Sequence, residues 1–540
     1  MPPNFVDAEP SASDSPVLLF NGIPRFVSPP TSTFRGREPM LVPYLTERPP
    51  VVPIDVGRQL FVDDFLIEST TLKRVFHAVE FYTNNPVLKP DKPWEIEGRG
   101  PMAMPFSDGV WYDDHDRLFK MWYMSGYAHS TSYATSKDGL EWEKPSLDVK
   151  PETNVVQPDK RDSSTVWLDS REPDARRRYK MFRSHYDGKS WGLSVHFSAD
   201  GIHWGPPVLR TAPAEDRTTV FYNPIRQVWS YSLKTKWENV RARRYWEVTD
   251  LVEGPQWTRA DEPVLWIASD RLDPLRDDLN VTPQLYNLDA VGYESLLLGL
   301  FTIWRGDNNV PTGRPKPNSI FVGFSRDGFH WDRPWRQPFI PVSERTGDWN
   351  WGNVQSAGGC CLIVGSNLYF YVSGRTGSAA NRDAGGGTGL AILRRDGFAS
   401  METDTTGTLT TRPVKFTGTH LFLNAATAAG ELRVEALDEA RQIIPPFTLD
   451  KSIPMTTDST SVMARWRGIE NISALAGKTV RFRFHLKRGS LYSFWVSQSD
   501  NGSSMGFTAA GGPNLNGQFD CGPTKTETTT PLDASRKPTE

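Results

Sequence analysis

The chain has 540 residues, of which 38% are hydrophobic and 23% are charged, and at about 150 residues per domain it should form two to four domains. No apolar stretch approaches the roughly 20 residues that a membrane-spanning helix needs, and 61 basic against 64 acidic residues give a net charge of −3. We therefore expect a water-soluble globular protein that has neither a membrane nor a nucleic acid as its partner, because a polyanion gains no general attraction to it.

Tryptophan, glycine and proline are all abundant. The chain contains 19 Trp, 43 Gly and 43 Pro, and this combination of many turns and many flat rings indicates a β-rich protein. A Trp ring either fills the core between sheets or offers a flat face on which a sugar ring stacks. The composition leaves both roles open.

The N-terminal segment, residues 1–50, is rich in Pro and has no periodic pattern, so we predict an extended arm lying on the next domain. It starts Met-Pro-Pro-Asn and lacks the basic and apolar regions of a secretory signal. The chain as written is therefore expected in the cytoplasm, or outside the cell if an export signal has been removed. Residues 51–70 are predicted to supply the strand that closes the following domain.

A repeat organises the chain after this segment. The pattern Ser-x-Asp-Gly-x-x-Trp occurs three times, at 136–142, 198–204 and 325–331. Asp-Gly is a strong turn signal, because Gly accepts a positive φ and the Asp carboxylate bonds to nearby backbone N–H groups. We predict that these pairs are structural turns and not catalytic acids. Two weaker copies, around Asp250 and Asp396, complete five units.

Each unit reads as short strands rich in aromatic residues, and four such strands repeated radially form a β-propeller. The predicted fold is all-β, with a five-bladed propeller over residues 51–403 and a C-terminal β-sandwich over residues 404–522. In the second domain the alternation of Arg481-Phe-Arg-Phe-His indicates a sheet with one solvated face. Residues 523–540 are rich in Thr, Lys, Glu and Pro and are predicted to be disordered.

The ligand site of a propeller lies at the mouth of its channel, where the inner strands begin. Counting back seven residues from the turn that ends each inner strand leads to Asp162, Asp216 and Asn287 in the second, third and fourth units. One interpretation is structural: the two carboxylates cap strand starts or pair with Arg161 and Arg217.

The functional interpretation is that these carboxylates converge on one pocket together with an acid of the first unit, Glu97 ahead of Glu95. Carboxylates that face each other push their pKa values apart, and cleavage of a glycosidic bond needs one acid and one ionised carboxylate. The predicted catalytic residues are Asp162, Asp216 and Glu97. The predicted substrate-binding residues, among which Trp rings stack on sugars and Arg99 holds hydroxyls or a carboxylate, are Trp94, Glu95, Arg99, Asn287, Asp289, Trp349, Trp351, Asn353 and Gln355.

The repeat, the five units and the C-terminal sandwich together resemble the five-bladed propeller glycoside hydrolases of families 32 (invertase- and inulinase-like) and 43 (arabinanase- and xylosidase-like). The resemblance implies a nucleophile or base in the first blade, a stabilising Asp in the second and an acid Glu further round, and Asp162 matches the second-blade Asp by position. The invertase-like motif Trp-Met-Asn-Asp-Pro-Asn-Gly is absent, and the corresponding stretch reads Met104-Pro-Phe-Ser-Asp108-Gly109. The chain is therefore a divergent relative, and the substrate does not follow from the family.

We predict a glycoside hydrolase that acts on an oligo- or polysaccharide, with furanosides among the options. The alternatives are a non-catalytic carbohydrate-binding propeller and a lyase or transglycosylase on the same scaffold. Nine His residues without a pair at metal-ligand spacing argue against a dedicated zinc site. We expect no required cofactor and leave open a structural calcium ion in the channel. The sugar, the linkage and the oligomeric state do not follow from the sequence.

Overall fold

The computed structural model describes residues 17–25, 30–211, 213–254, 257–306, 317–376 and 385–522. The regular structure of these residues is almost entirely β-strand. The helices among them are single turns, namely Pro43–Thr46, Pro93–Glu95, Ala175–Arg177 and Ser473–Leu475. None of the helices in the described ranges is long and apolar enough to cross a membrane. The predicted disordered tail, residues 523–540, and residues 1–16 and 26–29 of the predicted arm lie outside the described ranges.

Five antiparallel sheets, counted over the described residues, form the blades of a propeller. Blade 1 consists of Ala103–Asp113, Leu118–Ser125, Ser130–Ser136 and Val155–Gln157. Blade 2 consists of Ser164–Leu168, Tyr179–Tyr186, Trp191–Ser198 and Leu209–Arg210. Blade 3 consists of Thr219–Asn223, Val228–Trp237, Val240–Val248 and Val264–Ala268. Blade 4 consists of Gln284–Glu294, Leu296–Trp304 and Ser319–Ser325, with Phe507–Thr508 paired to its first strand. Blade 5 consists of Asn353–Ser356 with Leu362–Val364, then Asn367–Arg375, Gly386–Arg394 and Glu80–Phe81.

The first strands of the five blades contact one another in a ring and line the central channel. These strands are buried almost throughout, because each blade packs its flat faces against both neighbours. The predicted all-β, five-bladed architecture is confirmed. The start of each inner strand faces the channel mouth, where the candidate site was predicted.

The strand that closes the ring is not the predicted one. Glu80–Phe81 pairs with Gly386–Arg394 and forms the outer edge of blade 5, whereas strands from the predicted segment, 51–70, join the second domain. The physical reason is the apolar run Leu60-Phe61-Val62, which is fully buried there. The Phe61 ring stacks on Phe494 with centroids 5.7 Å apart, and a solvated outer strand of blade 5 would leave this ring exposed.

The Asp-Gly repeats are structural turns, as predicted. In the first copy, Oδ1 of Asp138 accepts hydrogen bonds from the backbone N–H groups of Leu140 (2.8 Å) and Glu141 (3.0 Å). Asp200 and Asp327 make the same pair of bonds, and so does Asp250 in a weaker copy. These carboxylates are therefore used by local backbone groups.

The Trp residues mainly fill the interior. Ten of the nineteen are buried, and several pack in chains that cross from blade to blade. The centroid of Trp111 in blade 1 lies 4.5 Å from that of Trp167 in blade 2, which lies 5.8 Å from that of Trp229 in blade 3. Core packing is thus the main role of these rings.

The second domain is an eight-stranded sheet organised by the long strand Arg481–Ser497. Its strands are Gln59–Leu60, Ile67–Thr70, Lys73–Phe76, Ala399–Thr411, His420–Ala426, Glu431–Leu437, Asp458–Met463 and Arg481–Ser497. Val52–Pro53 pairs separately with Val414–Lys415. The first half of the long strand pairs with Glu431–Leu437 and the second half with His420–Ala426. Phe rings from its alternating positions, Phe482, Phe484 and Phe494, pack against one another in the core of this sheet.

Candidate functional site

Two of the predicted catalytic carboxylates, Asp162 and Asp216, lie at the channel mouth just before the inner strands of blades 2 and 3. Arg217 lies between them. Its Nε is 3.7 Å from Oδ1 of Asp162, and its charge also acts on the neighbouring Asp216. The structural interpretation was that these acids pair with Arg161 and Arg217. Of these pairs, the structure shows Asp162 with Arg217, at a distance that is longer than a hydrogen bond.

Asp216 is held in its ionised form by Lys234 of blade 3. Burial alone would raise the pKa of Asp216, but the ion pair with Lys234, assisted by Arg217 and Arg243, outweighs burial and lowers the pKa below its ordinary value. The side chain is 30% exposed, and that of Asp162 is 17% exposed. Both carboxylates thus reach solvent at the mouth.

Asp162 has fewer partners than Asp216. Its backbone N–H donates to the carbonyl of Ser184 (3.1 Å), which fixes the start of the inner strand of blade 2. Its Oδ1 is buried but accepts no hydrogen bond. A carboxylate oxygen in this condition is available to accept a hydrogen bond from a ligand.

Asp108, on the inner strand of blade 1, is a channel carboxylate that the sequence analysis did not select. It is fully buried, and both of its oxygens accept from Nη1 of Arg161, at 2.7 and 2.8 Å. Burial raises the pKa of Asp108 to about 6, against the opposing effect of Arg161. The strand is irregular at this point, because Phe106 (φ 47°) and Ser107 (φ 73°) adopt left-handed conformations. The Asp108-Gly109 pair was the only local signal for this residue.

Asp289, predicted to bind substrate, lies deeper in the channel on the inner strand of blade 4. It accepts hydrogen bonds from Asn287 Nδ2 (2.7 Å) and from the Ser356 hydroxyl, and Asn287 also donates to Ser107 across the channel (2.9 Å). Burial raises the pKa of Asp289 to about 6. The two predicted residues therefore belong to a buried polar network that joins blades 1, 4 and 5.

Glu97 and Arg99 lie in the loop before blade 1, beside the residues that follow its second strand. The Glu97 carboxylate is 49% exposed and lies 3.2 Å from Nε2 of His129. The backbone N–H of Arg99 donates to the carbonyl of Tyr127 (3.0 Å). These contacts attach the loop to blade 1 and leave both side chains accessible.

Trp94 and Glu95 are used in contacts with the outer part of blade 1. The Trp94 indole donates to Asn154 (2.9 Å). Glu95 is fully buried, and its carboxylate accepts from the Tyr123 hydroxyl (2.7 Å) and from Lys144 (2.8 Å). The structure does not bring either side chain next to Asp162 or Asp216 through any contact between described residues.

The remaining predicted residues belong to blade 5 and the loop before it. Trp349 lies so close to the backbone of the blade that a Cβ on Gly389 would be 2.0 Å from its ring, and it therefore acts as packing. Trp351 is half-buried in the loop. Asn353 and Gln355 are buried on the inner strand, and Gln355 Nε2 donates to Asn353 Oδ1 (3.2 Å).

Sequence reasoning also missed the basic side chains that surround the mouth. Arg161, Arg217, Arg243 and Arg375 are all less than one-tenth exposed. Arg243 donates to the carbonyls of Arg217 and Tyr286 and to no carboxylate, and burial lowers its pKa to about 10. In the sequence, Arg161 and Arg217 are each adjacent to a predicted acid. This adjacency could have pointed to two of the four arginines.

The described residues offer no metal site, and a second opening lies away from the mouth. Within the described ranges, no three His, Cys, Asp or Glu side chains cluster as a metal site would require. A cleft of about 650 Å³ lies at the other end of the channel, between the ends of the inner strands and the C-terminal segment. Its lining includes Trp111, Trp167, Tyr222 and residues 507–512 and contains none of the predicted site residues.

The fold and the mouth define a class of protein: a five-bladed β-propeller with ionised and protonatable carboxylates set among buried arginines. No family model and no curated protein matches the chain. Solved structures similar to it include an N-acetylgalactosamine deacetylase from F. plautii in complex with blood group B trisaccharide, at 13% identity over 64% of this chain and 97% of that one, with a TM-score of 0.38.

Two further similar structures are a thermostable family-43 glycoside hydrolase and a β-1,2-mannobiose phosphorylase from Listeria innocua. The first is 15% identical over 55% of this chain and 93% of its own, with a TM-score of 0.37. The second is 12% identical over 58% of this chain and 96% of its own, with a TM-score of 0.39. At these identities the similarity is one of fold.

Proposed function

We propose that the protein is a glycoside hydrolase whose reaction takes place at the channel mouth, on an oligo- or polysaccharide. The observation that carries the proposal is the pair Asp162 and Asp216. They stand on either side of Arg217 at the starts of adjacent inner strands, and both are partly exposed. Asp108 and Asp289, by contrast, are too deeply buried to touch a sugar.

Cleavage of a glycosidic bond needs one carboxylic acid and one ionised carboxylate, and we assign these two roles to Asp162 and Asp216. Asp216, kept ionised by Lys234, assists a water molecule or attacks the anomeric carbon itself. Asp162 has no lysine partner among the described residues and donates the proton to the leaving oxygen. When the carbon–oxygen bond breaks, the leaving sugar keeps that proton, and water supplies the hydroxyl of the other product.

Glu97 completes the proposed catalytic set at the rim of blade 1. Its carboxylate is 49% exposed and lies beside His129, and it is the second candidate for the acid in this proposal. The two candidates for the acid are separable, because loss of the acid matters only for leaving groups that need protonation.

The experiment is a hydrolysis screen on aryl glycofuranosides and glycopyranosides with good and poor leaving groups. Asp162→Asn is compared with Asp159→Asn, which removes a 66% exposed carboxylate from the same loop. We expect Asp162→Asn to lose about 10²- to 10⁴-fold in rate on poor leaving groups and much less on dinitrophenyl glycosides.

Three results would contradict parts of this proposal. Equal rates for Asp162→Asn and Asp159→Asn would remove Asp162 from the mechanism. The same leaving-group pattern in Glu97→Gln instead would make Glu97 the acid. Saturable binding of a glycan that the wild type never cleaves would replace the hydrolase by a carbohydrate-binding propeller.

A further inference from the structure

Arg375, at the end of the second strand of blade 5, is a buried cation whose side chain has no counterion among the described residues. The residue is 6% exposed, its guanidinium group makes no ion pair or hydrogen bond with any described residue, and its Nε is buried without a partner. Its guanidinium carbon lies 4.5 Å from the centre of the Tyr127 ring and 5.8 Å from that of Phe106. A charged group that is buried without an acceptor is unfavourable unless a ligand supplies one.

Arg217 approaches the same Phe106 ring. Its guanidinium carbon is 3.1 Å from the ring centre, and no described residue accepts a hydrogen bond from its guanidinium. The carboxylate nearest to it is Asp162, at 3.7 Å. Two arginines with free donors therefore lie beside one aromatic ring at the channel mouth.

The backbone that carries this ring has an unusual conformation. Phe106 and Ser107 both have positive φ values, a conformation that costs free energy for residues with side chains. The Phe106 N–H donates to the Ser373 hydroxyl of blade 5 (2.8 Å), which fixes the backbone of Phe106 against blade 5. Strain of this kind is commonly retained at binding sites.

We infer that Arg375 and Arg217 form an oxyanion-binding subsite, in which Phe106 is the floor and Tyr127 one wall. A guanidinium group presents paired N–H donors that match the oxygens of a carboxylate or a phosphate. The inference rests on the proposed function: it assigns to that site a substrate with a carboxylate or phosphate group, or a phosphate that binds beside the sugar.

The surrounding charges are compatible with this subsite. Asp108 is neutralised by Arg161, Asp216 by Lys234, and Asp162 faces Arg217 from its Nε side. Arg243 adds a further positive charge that has no carboxylate in hydrogen-bond contact among the described residues. Among the described residues, no carboxylate competes with an incoming oxyanion for Arg375.

The test is a binding measurement that does not depend on catalysis. Calorimetry and melting temperature are recorded for the full chain with sodium glucuronate, inorganic phosphate and, as a neutral probe, glucose. The variants are Arg375→Met, Arg375→Lys, and Arg210→Met as a control, since Arg210 is an exposed arginine on the outer strand of blade 2 that contacts His185.

We expect at least one anion to bind saturably to the wild type and to Arg210→Met, with the Kd roughly tenfold or more higher in Arg375→Met. The Kd of Arg375→Lys should lie between those of the wild type and Arg375→Met, because lysine keeps the charge and lacks the paired N–H donors of the guanidinium group. Binding of glucuronate or of phosphate identifies which source carries the oxyanion.

Two outcomes would overturn the subsite: no saturable anion binding to the wild type, or equal affinities in wild type, Arg375→Met and Arg375→Lys. If Arg375→Met fails to fold, the comparison with Arg375→Lys decides. Anion binding without any glycoside cleavage would refute the proposed hydrolase and leave this subsite standing.

Discussion

At the scale of single residues, the aspartates of the channel differ in pKa because their surroundings differ. Asp216 has a lowered pKa because Lys234 outweighs burial, whereas burial raises the pKa of Asp108 and Asp289 to about 6. The exposed acid is thus the ionised one, and the deep acids are those that bind a proton near neutral pH. The ionised carboxylate and the buried carboxylates with raised pKa values are separated by depth in the channel.

Asp289→Asn should change how stability depends on pH. The folded-state pKa of Asp289 is raised from 3.8 to about 6, so its contribution to stability is largest below pH 4 and is lost as the pH rises to about 6. A shift of this size corresponds to about 3 kcal/mol at neutral pH. We expect the melting temperature of the variant, relative to wild type, to rise between pH 4.5 and pH 7. A difference that stays constant over this range would contradict the assignment.

The repeat predicts where the inner strands start. The count along it leads to Asp162, Asp216 and Asn287, and the structure places these three residues at or near the starts of the inner strands. Asp108 and Arg375 were not predicted, since the first depends on two left-handed residues that break the strand register and the second on a neighbouring blade. The partners of Glu95 and Trp94 also come from distant positions, and local pattern does not reveal them.

At the scale of elements, the Asp-Gly turns join neighbouring blades as well as neighbouring strands. The Gly201 carbonyl of blade 2 accepts from the Trp122 indole of blade 1 (2.7 Å), and Gly139 of blade 1 accepts from Tyr371 of blade 5 (2.5 Å). Each Gly has a positive φ and faces a side chain of the neighbouring blade. This double requirement explains why one short motif was enough to predict the propeller.

Gly201→Ala should therefore destabilise the propeller. An added Cβ would lie 2.4 Å from the buried Trp122 ring at a φ of +77°, and overpacking together with backbone strain costs roughly 2–4 kcal/mol. The matched control is Gly188→Ala, which has a positive φ but nothing within 4 Å of the new Cβ. Chemical unfolding of both variants measures the difference. Equal losses in the two variants would show that the contact with Trp122 adds nothing to the turn.

At the scale of the whole molecule, a buried ionic network connects the two domains. Arg58, which lies in the segment 51–70, contacts Asp396 (3.1 Å). Its guanidinium carbon lies 4.0 Å from the centre of the Trp495 ring of the second domain. Asp396 also accepts from the Ser493 hydroxyl (2.7 Å). Burial would raise the pKa of Asp396, but Arg58 and Arg395 lower it below the ordinary value. The fifth copy of the repeat thus serves as an interdomain contact.

Arg58→Met should weaken both domains together, because it leaves Asp396 buried with one cation fewer. Removal of one member of a buried pair costs about 3–5 kcal/mol. Arg176→Met is the control, since that side chain is 88% exposed and an exposed ion pair adds little to stability. Unfolding followed by Trp fluorescence measures both. A loss in Arg58→Met as small as that of the control would mean that the network does not stabilise the interface.

The closing strand marks the limit of sequence-based prediction at this scale. Residues 51–70 and 80–81 are both extended segments before blade 1, and the choice between them depends on a core that only the folded second domain provides. Phe61 is buried against Phe484 and Phe494 of the long strand. The repeat predicts the number of blades, whereas tertiary packing decides which segment completes the ring.

The most direct test of the central claim compares Asp216→Asn with Glu215→Gln on the best substrate from the hydrolysis screen. Both acids contact Lys234, so the two variants disturb the same lysine and remove the same charge. We expect Asp216→Asn, with an unchanged melting temperature, to lose most of the wild-type kcat/KM, and we expect Glu215→Gln to retain it. Equal activity in the two folded variants would contradict the claim that the Asp216 carboxylate takes part in the reaction.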